Sequence, residues 1–200
     1  MEKKTHIACA SLISLSLIKP SSIQELLITI GVSALGGVLP DVDLKDSTSD
    51  KLFDRLMTSL ITIIIMSFLI NYFFNINLYK IIKEYNNIYN YIISISIFII
   101  MSYLGSKTSH RSFTHSFLGL FIYSIILSYS FSNKIVITYF ISHLSHIILD
   151  LLNMKGIALF YPLKFRLSLK LCEVKGIVNK ILFITSSLLN IIVLILISIK

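Results

Sequence analysis

Charge is what this chain lacks most. Asp, Glu, Lys and Arg make up 14% of its 200 residues, against about 25% in an ordinary soluble domain. That shortage excludes a disordered chain, which stays unfolded because it is charged and weakly apolar. It equally excludes a coiled coil and a soluble enzyme, both of which need a polar surface. Cysteine is scarce too. Cys9 and Cys172 lie far apart with no CxxC pair, so neither a disulfide framework nor a thiolate zinc site is expected. Acidic residues number 10 against 18 basic ones, a net charge of +8. In a soluble protein that balance would suggest nucleic acid. Beside long apolar runs it marks basic residues that flank membrane spans and touch anionic lipid. Membrane lipid is the expected partner, and nucleic acid is not.

What the chain has in excess is apolar surface. Hydrophobic residues make up 55% and the mean hydropathy is +0.83. The length suits one domain over residues 1–200, since a domain usually takes about 100–200 residues. Ile7 to Ile18 is too short an apolar run to cross a ~30 Å hydrocarbon core. After Lys19-Pro20-Ser21-Ser22 the chain is apolar again from Ile23 to Leu39. No small-x-small cleavage site separates the two runs, so they read as an uncleaved helical hairpin, partly inserted. Five full spans follow: Met57–Leu78, Ile88–Leu104, Phe117–Phe131, Ile135–Leu152 and Ile181–Ile199. Their lengths favour helices over strands. The expected fold is an all-α membrane bundle of about five transmembrane helices plus an N-terminal hairpin.

If each apolar segment crosses or turns back, 13 Lys and Arg fall on one side and 5 on the other. The positive-inside rule places the richer side in the cytoplasm. That side also receives all five histidines, with Asp41, Asp43 and Asp150. Hydropathy alone drew this topology, so their gathering at one membrane face is an independent result. Ionisable groups in a membrane protein are costly and point to function.

Three motifs carry the chemistry. In HLSHIILD, His143 and Asp150 fall within ~20° of each other on a helix and His146 lies ~60° away. Three such groups on one face suit zinc, manganese or iron. The plainer reading is a polar stripe packed between helices. In HRSFTHS, His110 and His115 stand ~140° apart on a continuous helix. One therefore belongs to a loop, and Ser112 or Thr114 is expected to cap the next helix. Arg111 beside a helix start suits a phosphate, or serves only as a snorkelling anchor. In GGVLPDVD, Pro40 ends a helix, and Asp41 and Asp43 follow on an extended loop. Asp46, Asp50 and Asp54 read as a solvated acidic turn.

Taken together, Thr5-His6, LPDVD at 39–43 with Ser47 after it, HRSFTHS at 110–116, and HIILD at 146–150 followed by Gly156 and Pro162 resemble the YdjM-like membrane-bound metal-dependent hydrolases. The resemblance runs in order over most of the chain. It departs at Ser112, where the family often has Gly, and at Asn153, where it often has Thr. It implies a distant relation to zinc-dependent phospholipases C and P1-type nucleases, and so phosphoester hydrolysis with bound zinc. The reading that follows is a membrane-bound, metal-dependent phosphoester hydrolase, acting on a lipid-linked substrate or a simpler one, at the cytoplasmic face of the inner membrane. The expected metal ligands are His6, Asp41, His115, His143, His146 and Asp150, for zinc or else manganese. Asp43 or His110 is the general base or acid, and Arg111 holds the phosphate. Three alternatives compete. His146-x-x-x-Asp150 echoes part of a phosphatidic-acid phosphatase pattern whose other elements are missing. A metal or proton transporter would want its ligands near the midplane. A non-catalytic regulator would bind a cytoplasmic protein through the basic segment 155–180.

Overall fold

The computed structural model describes residues 1–43, 48–74, 86–174 and 176–198. Ser47, Asp46, Lys175 and the last four residues of the expected Met57–Leu78 span lie outside them. Within the described residues the chain is helical: α1 (Lys3–Ile18), α2 (Ile23–Val38), a 3-10 turn (Leu39–Asp43), α3 (Thr48–Phe74), α4 (Asn86–Ser106), a second 3-10 turn (Phe113–His115), α5 (Phe117–Ser128), α6 (Asn133–Leu151) and α7 (Ile177–Ser198). Two isolated β-bridges tie the segment between α6 and α7.

Four helical stretches among the described residues are long and apolar enough to cross a bilayer: Ile23–Asp43, Ile88–Ser106, Asn133–Leu151 and Ile177–Ile197. The second arm of the N-terminal hairpin is therefore itself of spanning length. The stretch Phe117–Phe131 behaves differently from its expectation as a span. Its helix, α5, has 12 residues, about 18 Å at 1.5 Å per residue, and falls short of a ~30 Å core. Apolarity continues past Ser128, but the helix does not.

α1, α2 and α6 pack on one another, and α7 packs on α1. Small side chains set these crossings. A Cβ on Gly36 would lie 2.7 Å from the Ser142 Cβ, and one on Gly37 would lie 3.2 Å from the His6 carbonyl oxygen. Glycine here lets backbones approach, as small residues do wherever helices associate without help from water. Hydroxyls then bridge the helices: Ser14 to Ser142 at 2.8 Å and Ser11 to Ser33 at 3.1 Å. At the far end of the hairpin, Ser22 caps α2 by accepting from the Glu25 N–H, while the Glu25 carboxylate accepts from the Ser21 N–H, a reciprocal cap.

The chain direction alternates. The start of α1, the ends of α2, α4 and α6, and the starts of α3, α5 and α7 therefore meet at one end of the bundle. Leu39 to Asp43 is entirely buried there. It forms a 3-10 turn rather than the expected extended loop, because it packs against both flanking helices and the Phe113–His115 turn.

Candidate metal centre

Four residues from three parts of the chain converge at that end: Asp41 from the first 3-10 turn, His115 from the second, and His146 and Asp150 from α6. One ligand atom from each of Asp41, His115, His146 and Asp150 lies within 4.8 Å of the others, and all four residues are buried. The individual separations are short. His115 Nε2 is 3.3 Å from His146 Nε2, 3.4 Å from Asp150 Oδ2 and 3.7 Å from Asp41 Oδ1. His146 Nε2 is 3.8 Å from Asp41 Oδ1.

The donor chemistry fits a divalent metal. Four N/O ligands held ~2.0–2.2 Å from zinc in a tetrahedron stand about 3.4 Å apart, close to these separations. Both imidazoles are also oriented by their other nitrogen. His146 Nδ1 donates to the Gly37 carbonyl at 2.7 Å, which leaves Nε2 as a lone pair. His115 Nδ1 lies 3.2 Å from Asp43 Oδ2, which turns its Nε2 toward the cluster. Carbonyl and carboxylate partners of this kind orient histidines that ligate metals.

Asp43 does more supporting than reacting. Its Oδ2 accepts from the Arg111 backbone N–H and from the Thr114 hydroxyl, each at 2.8 Å, and its Oδ1 faces His110 Nδ1 at 2.8 Å. With both oxygens filled, Asp43 positions the 110–115 turn rather than acting as a free base. The helix cap expected from Ser112 or Thr114 falls instead to Ser116, which accepts from the Gly119 N–H. Thr114 is engaged with Asp43.

His143 is the one expected ligand whose surroundings speak against ligation. It shares the buried face of α6 with His146 and Asp150, yet both its nitrogens are taken. Nε2 donates to the Thr114 carbonyl at 2.9 Å and Nδ1 accepts from the Tyr139 hydroxyl at 3.0 Å. It pins the turn that carries His115.

His6 stacks on His146 with ring centroids 3.8 Å apart. Its Nε2 is 3.4 Å from Asp150 Oδ1, and neither ring nitrogen has a hydrogen-bond partner. It borders the four-residue group. The Met1 amine donates to Asp150 Oδ1 at 2.8 Å.

Arg111 adopts a left-handed backbone, φ 62°, a conformation uncommon outside glycine. Its N–H is held by Asp43 and its carbonyl accepts from the Ala158 N–H. The guanidinium is buried. Nη2 is 3.1 Å from Asp150 Oδ2, while Nε and Nη1 have no hydrogen-bond partner. A snorkelling anchor would keep its charge in water, so that reading fails. His110 stands at the rim with its side chain 37% exposed.

Electrostatics favour a cation. Burial opposes charge on His115, but the carboxylates of Asp150, Asp41 and Asp43 outweigh it and hold the imidazole pKa well above its ordinary value of 6.5.

Sequence reasoning named all four members of the group. It missed Thr114 and the Gly37 carbonyl as partners. The Gly37 carbonyl is backbone and invisible to residue type. The Thr114 role was legible only as a polar residue next to His115.

A family model described as YdjM inner membrane protein matches residues 1–199. No curated protein and no solved structure gives a match.

Proposed function

Because the chain belongs to the YdjM inner membrane protein family, we propose that it is a membrane-bound, metal-dependent hydrolase of phosphoesters, with its site at the cytoplasmic membrane face. The observation that carries this reading is the pairing of two features in one buried space. Asp41, His115, His146 and Asp150 form an N/O ligand group. Beside it, Arg111 presents two unpartnered guanidinium nitrogens. A buried donor left unpaired costs about 1–3 kcal/mol, and an anionic oxygen would satisfy both.

A divalent metal held by the four residues would supply Lewis acidity and lower the pKa of water. Asp41, His115, His146 and Asp150 would hold it, with a fifth position left to water, and His6 borders the group. Arg111 binds the phosphate oxygens through Nε and Nη1. His110 accepts or returns a proton at Nε2, with Asp43 fixing its other nitrogen. His143 and Asp43 keep the 110–115 turn rigid, and the burial of the group excludes bulk water. Zinc suits the two-imidazole, two-carboxylate set, and manganese would be accepted. A transporter is the weaker reading because the ligands sit at helix ends, not at mid-span.

The test is hydrolysis of phosphodiesters and phospholipids by detergent-purified protein, with metal and with chelator. Activity should need metal and vanish in Asp150→Asn with helicity intact. Arg111→Lys should weaken substrate binding, because lysine loses the planar fork. Metal binding without hydrolysis across the panel would contradict the reading.

A further inference from the structure

The segment between α6 and α7 combines a fixed backbone with unburied apolar side chains. Its backbone is tied to the end of α6 and the turn beyond. Leu169 and Leu171 donate to the carbonyls of Leu151 and Leu152 at 2.8 and 2.9 Å, and Ile157 and Leu167 exchange two bonds at 2.9 Å. A strap so anchored could bury its large residues. It does the opposite: Leu163 is 57% exposed, Phe165 49%, Leu169 55% and Leu171 66%. Between them stand Lys164, Arg166 and Lys170, also exposed.

We propose that residues 163–171 form an interfacial platform that lies in the headgroup layer of the membrane and binds anionic lipid. The segment joins two helices of spanning length, α6 ending at Leu151 and α7 beginning at Ile177. It is therefore held at the level of the bilayer surface. Its apolar side chains match the acyl boundary, where amphipathic surface elements bury them. Its cations match anionic headgroups, which attract each Lys or Arg near the surface. Interleaving of the two suits an interfacial element better than a purely aqueous loop or a buried strap. Arg166 also donates to the His110 carbonyl at 2.9 Å, so the platform borders the rim of the metal centre. The contact stands whether or not that centre hydrolyses anything.

The chain has no tryptophan, so one introduced indole reports alone. Full-length Phe165→Trp and Leu171→Trp proteins would be placed in vesicles of phosphatidylcholine, with and without phosphatidylglycerol. The acyl chains would carry bromine near the glycerol end. Ile192→Trp, within α7, serves as the inserted control. Both platform variants should emit blue-shifted light and lose fluorescence to bromine, with a deeper loss in phosphatidylglycerol. Adding Lys164→Gln and Lys170→Gln should remove the phosphatidylglycerol increment and leave the quenching in phosphatidylcholine. Water-like emission untouched by bromine would overturn the proposal. So would a blue shift without quenching, the sign of a second copy or another protein on this face, or equal quenching in both lipids.

Discussion

His143 and His146 show how far identity and spacing reach at the residue scale. The helical period puts both on the buried face of α6, and so they are. Which one can bind a metal depends on the partners each ring meets, not on its place on the helix. Thr114 and Tyr139 fill the nitrogens of His143, whereas the Gly37 carbonyl takes only one from His146. Substitution should separate the roles. His146→Ala is expected to abolish stoichiometric metal. His143→Ala and Asp43→Asn should retain it with affinity weakened about 10–100-fold, the usual cost of losing an orienting partner. Competition with a chromogenic chelator measures both. A second consequence follows from the raised pKa of His115. A raised pKa means the folded metal-free protein gains stability from this imidazolium. The gain is fully present below ~6.5 and is lost as pH rises through the folded value. Between those two limits a metal must displace that proton. Calorimetric titration in buffers of different ionisation heat should show about one proton released per ion, and affinity should fall as the solution is acidified.

Hydropathy located the helices well at the element scale because length and apolarity are local properties. It failed where the end of a helix was decided by tertiary contact. Phe117 to Phe131 reads as one apolar run, yet the helix stops at Ser128. The LPDVD segment, read as a helix break and an extended loop, becomes a buried 3-10 turn because helices on both sides close over it. The α2–α6 crossing rests on Gly36, whose partner Ser142 no local pattern names. Gly36→Ala should be destabilising by about 1–3 kcal/mol, the range for overpacking, since its Cβ would press on Ser142 at 2.7 Å. Gly31→Ala on the same helix meets nothing within 4 Å and should be neutral or slightly stabilising. Thermal unfolding in one detergent compares the two.

For the whole molecule, alternation of helix direction brings residues 6, 41, 115, 146 and 150 to one end. The sequence already separated the ends by charge, 13 basic residues against 5. The positive-inside rule therefore predicts that the metal end faces the cytoplasm. Single cysteines at Lys164 and Lys19, with Cys9 and Cys172 replaced by serine, should give opposite answers to an impermeant thiol reagent in intact cells. Lys164→Cys is expected to be protected and Lys19→Cys labelled; the reverse would invert the orientation.

X-ray absorption on the zinc-loaded full-length protein tests the metal centre itself most directly. The structure predicts a first shell of nitrogen and oxygen only, at about 2.0–2.1 Å, the zinc–imidazole and carboxylate range, with outer-shell scattering from two imidazoles. His146→Ala should lose the metal. A sulfur shell, or a spectrum of hydrated zinc unchanged by His146→Ala, would contradict the assignment of Asp41, His115, His146 and Asp150 as the metal site.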